Sequence, residues 1–173
     1  MGIPNYVVKT LFWEYFRELL QKENTLEIDT GRIERAISAL AFDGEVKPFL
    51  DVVRENVLSA LSRRDYIKFN EKYIKVVLFS FLSLHPLYRL QSEPEVKGGF
   101  IDIYLEKNIR FPDVTYEWLW ELKYIKKEQS LEDVKAEGLE QLERYAAGPR
   151  FRGKENLKKA LLIFRGKDEC FVF

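Results

Sequence analysis

Cysteine and histidine are almost absent from this chain, which has one of each, Cys170 and His85. A single cysteine excludes an internal disulfide, and a single histidine excludes a metal site built from several histidines. The same scarcity argues against a Ser-His or Cys-His nucleophile, so we interpret both residues as structural. The sequence also has no glycine-rich phosphate loop, dinucleotide fingerprint or internal repeat.

Net charge and long apolar runs are missing as well. The chain carries 28 Lys plus Arg against 28 Asp plus Glu, so no global charge attracts nucleic acid or an anionic membrane. No stretch approaches the roughly 20 apolar residues of a membrane span, and the first residues lack the pattern of a signal peptide. We therefore expect a cytoplasmic protein whose binding surfaces are local patches.

The first third of the chain has the spacing of helices. Hydrophobic residues make up 46% of the 173 residues, which is enough for a proper core. They recur at helical intervals in three segments: Tyr6–Leu20, Ile33–Ala41 and Pro48–Leu61. Asp43-Gly44 is expected to end the second segment. We interpret residues 1–65 as an all-helical N-terminal region and residues 66–173 as the core.

The core region alternates between helical and strand patterns. A helix is predicted from Tyr66 to Leu84, and Glu71 lies on its apolar stripe. A second helix is expected to begin at a capping Ser130 and to stop at Gly148-Pro149. The predicted strands are Tyr88–Glu93, Phe100–Leu105, Trp118–Tyr124, Ala160–Phe164 and Cys170–Phe173. The first three should form an antiparallel meander, because only short polar turns separate them.

The strand Trp118–Tyr124 brings charge into an apolar sheet. Strand alternation places Glu121 and Lys123 on the same face. If the strand that contains Asp102 pairs beside it, two carboxylates and a lysine meet at one spot, where burial is costly unless the charges are paired or bind metal. Each observation alone has an ordinary structural explanation. Glu121 and Lys123 could lie on a solvated strand face, and Glu71 could be stabilised by the N-terminus of its helix or by a neighbouring lysine.

Together, these residues resemble the PD-(D/E)XK nuclease superfamily. Asp102 and Glu121-x-Lys123 match its signature, and Glu71 matches the acidic residue of its first core helix. The pair of Gln141 and Tyr145 matches the Q-x-x-x-Y motif of RecB-like members. The order helix, three-strand meander, helix, strand, closing strand is similar to the superfamily's α/β (α+β) restriction-endonuclease-like core, here preceded by the all-helical region. Within the superfamily, the chain most resembles the domain that follows an AAA ATPase-like domain in many bacterial proteins.

The resemblance implies a nuclease that depends on Mg²⁺ or Mn²⁺. Asp102, Glu121 and the backbone carbonyl of Leu122 would be direct metal ligands, and Glu71 would assist at the metal. Lys123 would orient or help deprotonate the attacking water and offset developing negative charge. Nucleic-acid contacts are expected from a set of polar and basic side chains: Gln141, Tyr145, Lys68, Lys75 and Lys126. An AAA ATPase-like domain in the same or another chain is an expected partner.

Three functional hypotheses remain open from the sequence. The leading one is metal-dependent hydrolysis of phosphodiester bonds in nucleic acid, with DNA as the expected substrate. The alternative is a catalytically silent nuclease-fold module that binds nucleic acid or protein. Phe100 favours this alternative, because many relatives carry arginine at that position, and so does the zero net charge. A purely structural domain is the third hypothesis.

Overall fold

A computed structural model describes residues 29–55, 70–126, 128–166 and 169–173. Its elements, in chain order, are helix α1 (Thr30–Ser38), a π-helical segment (Ala39–Asp43), helices α2 (Lys47–Val53) and α3 (Glu71–Leu82), strands β1 (Tyr88–Ser92), β2 (Glu95–Val96), β3 (Gly99–Phe100), β4 (Ile103–Lys107) and β5 (Glu117–Tyr124), helix α4 (Leu131–Ala146), and strands β6 (Leu157–Arg165) and β7 (Glu169–Val172). The helix predicted over Tyr6–Leu20 and the nucleic-acid contact predicted for Lys68 lie outside the described residues.

The central feature is a five-stranded sheet with the order β1-β4-β5-β6-β7. Strands β1, β4 and β5 form the predicted antiparallel meander. Strand β6 runs parallel to β5, which requires a crossover, and helix α4 provides it. Strand β7 closes the sheet in the antiparallel direction. The mixed α/β fold class that the sequence predicted is therefore confirmed.

Each face of the sheet buries its own apolar cluster. On β5, Trp118, Trp120 and Leu122 face the cluster that contains helices α1, α2 and α3. Leu119 faces the opposite cluster, which contains helix α4. Because side chains alternate along a strand, Glu121 and Lys123 share the side of Leu119 and look toward α4. The facing that the sequence predicted for these two residues is therefore confirmed.

The strand predicted over Phe100–Leu105 is interrupted at its charged residue, so that prediction was partly wrong. Gly99 and Phe100 pair instead with Glu95 and Val96 in a short hairpin, and Asp102 forms a bend just before β4. The hairpin follows from two glycines with positive φ, 98° at Gly98 and 151° at Gly99. A Cβ at Gly99 would collide with the Tyr145 hydroxyl. Because Asp102 lies in a bend and not in a strand, its side chain does not have to follow the alternation of side chains along the sheet.

Helix ends agree with the sequence in most places. Asn70 caps helix α3, because its side-chain oxygen accepts a hydrogen bond from the amide of Tyr73 at 3.1 Å. The π-helical segment after α1 ends at Gly44, which has a φ of 68°, as predicted. Ser130 occupies the N-cap position of α4, but its side chain makes no capping hydrogen bond, contrary to expectation. Within the described part of the chain, no helix has both the length and the apolar character needed to cross a membrane.

Candidate active site

A chain of hydrogen bonds connects the end of β5 to helix α4. The ammonium of Lys123 donates to Glu121 Oε1 at 2.9 Å and to Gln141 Oε1 at 2.8 Å. The amide nitrogen of Gln141 then donates to the Tyr145 hydroxyl at 2.9 Å. Gln141 and Tyr145 can cooperate because residues four apart lie on the same side of a helix. Four predicted site residues thus form one connected group.

Asp102 is fixed directly against the same strand. Its Oδ2 accepts a hydrogen bond at 2.9 Å from the backbone amide of Leu122, the residue that stands between Glu121 and Lys123 in the sequence. Its Oδ1 accepts a hydrogen bond from the ammonium of Lys75 at 2.8 Å. Asp102 lies in the bend just before β4, from which its carboxylate reaches both β5 and helix α3. The structure therefore brings Asp102 to the same place as Glu121 and Lys123.

Glu71 completes the group from the other side of the sheet. It is the first residue of helix α3, where the helix dipole favours an acidic side chain. Burial raises the pKa of its carboxyl, and the negative charge of Asp102 raises the pKa further, while Lys123 and Lys75 oppose both effects. Glu71 is therefore near enough to Asp102, Lys123 and Lys75 for their charges to affect its ionisation.

Glu121 is the most perturbed acid of the group. Its side chain is only 3% exposed, and burial together with the charge of Asp102 raises its pKa from 4.5 to about 7. The hydrogen bond from Lys123 limits this rise. Its second oxygen, Oε2, is buried and has no hydrogen-bond partner within the described residues. Such an oxygen is costly to bury, and a cation beside it would remove the cost.

The donor chemistry of this group suits Mg²⁺ or Mn²⁺. Both ions prefer oxygen ligands, and Glu71, Asp102 and Glu121 supply carboxylate oxygens, among them the partnerless Glu121 Oε2. In the described ranges, however, no three acidic, histidine or cysteine side chains are already gathered as a metal cluster. Lysines hold two of the acids, Lys123 at Glu121 and Lys75 at Asp102. The residues thus fit a metal by type, and their present contacts are those of a site neutralised by lysine.

Comparison with known families agrees with this geometry. A family model described as PD-(D/E)XK nuclease superfamily matches residues 69–172, from just before helix α3 to the end of β7. The chain belongs to this superfamily. A search of curated proteins finds no match. The resemblance to the superfamily that the sequence suggested is thereby confirmed, together with the restriction-endonuclease-like PD-(D/E)XK fold.

The PD-(D/E)XK signature residues predicted from the sequence lie together: Lys123 bonds to Glu121, and Asp102 bonds to the backbone amide between them. Their catalytic roles remain predictions, and so does a metal contact by the Leu122 carbonyl. Phe100, which stands where many relatives carry arginine, lies in strand β3 of the hairpin and is 58% exposed. Its aromatic side chain therefore faces solvent two residues before Asp102.

Two of the basic residues predicted to contact nucleic acid can be located. Lys126 is exposed just beyond the end of β5. Lys75 is largely buried, and its ammonium is shared between Asp102 and Glu93. Contacts of either residue with nucleic acid remain predictions. The contact of Lys75 with Asp102 was not predicted from the sequence, although the position of Lys75 four residues after Glu71 placed both on the same side of the helix.

Proposed function

We propose that this protein is a metal-dependent nuclease that hydrolyses phosphodiester bonds of nucleic acid, with DNA as its expected substrate. The observation that carries the proposal is the contact between Lys123 and Glu121, made beside Asp102 at the end of one buried strand. A structural salt bridge would not need a second, largely buried carboxylate next to it. The membership of the chain in a nuclease superfamily supports the same chemistry.

Asp102, Glu121 and Glu71 would hold the divalent ion, and the carbonyl of Leu122 would add a neutral oxygen. When bound, Mg²⁺ or Mn²⁺ acts as a Lewis acid toward the phosphoryl group and makes water nucleophilic near neutral pH. Glu121 is suited to this task, because its free oxygen is buried and its ionised form is disfavoured until positive charge arrives. Burial also excludes bulk water, which strengthens the interaction.

Lys123 would act on the attacking water and on the phosphate. Burial by itself lowers the pKa of its ammonium, but the hydrogen bond and charge of Glu121, with the charges of Glu71 and Asp102, outweigh burial and raise the pKa. The side chain is therefore an ammonium at neutral pH, suited to orient water and to offset developing negative charge. Glu121 and Gln141 fix its position from two sides.

Gln141 and Tyr145 are proposed to position Lys123 and to approach the phosphate backbone. The hydrogen bond from Lys123 to Gln141 ties the ammonium to helix α4, and the hydrogen bond from Gln141 to Tyr145 holds the amide in position. Lys68, Lys75 and Lys126 are proposed to add positive charge for nucleic-acid binding. We further propose that residues 66–173 form the nuclease core, that an AAA ATPase-like domain supplies targeting, and that the protein works in the cytoplasm.

One observation favours a second candidate, a nuclease-fold module that binds nucleic acid or protein without cutting it. Asp102, the proposed metal ligand, is already bonded to the ammonium of Lys75. A site in which lysine permanently replaces the metal would keep the fold and the charge balance but would have no Lewis acid. The two candidates therefore differ in whether a divalent ion binds, and this can be measured.

The decisive experiment measures cleavage of labelled single-stranded and double-stranded DNA and RNA with Mg²⁺ or Mn²⁺. The parent is compared with Lys123→Ala and with Lys107→Ala, which removes an exposed lysine of β4 away from the site. We expect cutting that EDTA abolishes, that falls at least about a hundredfold in Lys123→Ala, and that persists in Lys107→Ala. Cutting that survives Lys123→Ala would refute the assigned site, and absence of both cutting and metal binding would favour the second candidate.

A further inference from the structure

Lys75 occupies the place at Asp102 where a metal would be expected. Its ammonium lies 2.8 Å from Asp102 Oδ1 and 2.7 Å from Glu93 Oε1. The side chains of Lys75 and Asp102 are only 11% and 14% exposed, whereas that of Glu93 is 61% exposed. The lysine thus bridges an inner carboxylate of the site and an outer carboxylate at the surface.

The backbone around Glu93 has an unusual conformation that holds this residue close to Lys75 and Asp102. Glu93 has a φ of 52°, and it is the only residue other than glycine with a positive φ in the described ranges. Such a conformation is strained and persists only where neighbouring contacts maintain it. Here the backbone amide of Glu93 donates to the carbonyl of Asp102 at 3.2 Å. The chain therefore accepts strain that keeps Glu93 beside both Lys75 and Asp102.

The charges explain why an ammonium is held there. Asp102 and Glu121 are held close together, because Asp102 bonds to the Leu122 amide directly after Glu121, and like charges this close repel each other. In the described part of the chain, Lys75 forms an ion pair with Asp102, and Lys123 forms one with Glu121. Lys123 bonds to only one oxygen of Glu121 and leaves the other without a partner. At Asp102, by contrast, each carboxylate oxygen has a hydrogen-bond donor, Lys75 at Oδ1 and the Leu122 amide at Oδ2.

We propose that Lys75 is a tethered competitor for the divalent cation at Asp102, so that metal loading exchanges one cation for another. This inference rests on the proposed function, because it requires that the site bind metal. Glu93 keeps the released ammonium at the edge of the site, where Lys75 and Glu93 border a surface groove together with the exposed Lys72. Because the hydrogen bond between Lys75 and Asp102 must break before the metal binds, the affinity of the site for metal is weaker than it would be without Lys75.

A purely structural lysine makes the opposite prediction. If Lys75 only orients Asp102, its removal should loosen the carboxylate and weaken metal binding. If Lys75 competes, its removal should tighten metal binding. Lys75→Gln distinguishes these possibilities, because glutamine keeps a hydrogen-bond donor and removes the charge. Lys72→Gln is the matched control, since it removes the same charge three residues earlier on the same helix from an exposed position.

The test is a titration of the protein with Mn²⁺ alone. Binding is measured from the electron paramagnetic resonance signal of the free ion and by calorimetry. We expect Lys75→Gln to lower the Kd for Mn²⁺ about tenfold, the value of one hydrogen bond to a charged group, and Lys72→Gln to change it less than about twofold. Equal effects of the two variants, or weaker binding by Lys75→Gln, would overturn competition while leaving the metal site intact. Absence of Mn²⁺ binding in both the parent and Lys75→Gln would overturn the proposed function as well.

A second measurement uses the parent protein and does not depend on the variant folding. Lysines are labelled with an amine-reactive reagent, with and without Mn²⁺, and the labelled sites are quantified by mass spectrometry. Mn²⁺ should raise the labelling rate of Lys75 several-fold relative to Lys72, because the ammonium leaves Asp102, and EDTA should reverse the change. An unchanged ratio when Mn²⁺ is bound would overturn the exchange.

Discussion

The ionisation of Glu121 couples the candidate site to the stability of the fold. Burial, and then the charge of Asp102, raises the pKa of this carboxyl from 4.5 to about 7 in the folded protein. In the unfolded chain the same group is solvated and keeps its ordinary pKa. Between these two pKa values the folded state holds a proton that the unfolded state has released. Folding stability must therefore fall as pH rises through this window.

The magnitude follows from the size of the shift. Each pKa unit corresponds to about 1.36 kcal/mol, so the rise to about 7 corresponds to roughly 3 kcal/mol lost between pH 4.5 and pH 7. Above pH 7 the loss is complete and becomes constant. Glu71 adds to it with the same sign, because its pKa is raised as well. Glu93 and Glu55 have lowered pKa values and contribute in the opposite direction, in a more acidic window.

Glu121→Gln isolates this contribution, because glutamine has the shape of the protonated acid and cannot ionise. We expect the free energy of unfolding of Glu121→Gln, relative to the parent, to increase by about 3 kcal/mol from pH 4.5 to pH 8. The assay is urea unfolding at several pH values in the presence of EDTA, analysed for both midpoint and slope. Glu140→Gln, an exposed position on α4, serves as the control and should show no such trend.

A difference between Glu121→Gln and the parent that stays constant with pH would refute the reasoning. It would mean that Lys123 compensates Glu121 fully and that the carboxyl is ionised throughout the range. A difference that shrinks as pH rises would be a stronger contradiction, because the ion pair would then stabilise the fold more than burial and Asp102 destabilise it. Either result would also weaken the argument that Glu121 needs a further cation.

Two further predictions test the surroundings of the site. Gly99→Ala should lower the free energy of unfolding by about 2 to 4 kcal/mol, because it adds a collision with helix α4 to an unfavourable positive φ. Gly153 also has a positive φ but lies in open space, so Gly153→Ala should lower the free energy of unfolding by only about 1 kcal/mol. Equal losses for the two variants in urea unfolding would exclude the collision. Cys170 should react with a thiol reagent at pH 8 more than about tenfold more slowly in the native protein than in urea, because burial raises its pKa to about 12; equal rates would show that the thiol is accessible.

The sheet was predictable from the sequence because its strands carry strong local patterns. From Trp120 to Tyr124 large apolar groups alternate with charged ones, and Ala160–Phe164 is continuously apolar, as expected of a strand buried on both faces. These patterns indicated the meander, the central position of the later strand and the shared face of Glu121 and Lys123, all of which the structure bears out. Local alternation was sufficient because each of these features depends on one strand and its immediate neighbour.

The bend at Asp102 was not predictable in the same way. Phe100–Leu105 has the composition of one uninterrupted strand, and a period of two residues cannot reveal where pairing changes partner. The interruption depends on Gly98 and Gly99, whose positive φ values start a hairpin, and on the fit of that hairpin against Tyr145 in helix α4. This last contact joins residues that are distant in the sequence, so neither segment alone indicates it.

Lys75 shows the same limit at the centre of the site. Its spacing from Glu71 indicated an ordinary pair within one helix, and that is a local inference. The ammonium instead reaches Asp102, which is available only because the chain bends there, and Glu93, which is available only in a strained backbone conformation. Two departures from regular strand geometry therefore create the contact between Lys75 and Asp102, a proposed metal ligand. Because these departures cost free energy, a contact that they maintain is a better candidate for function than one that regular structure would form anyway.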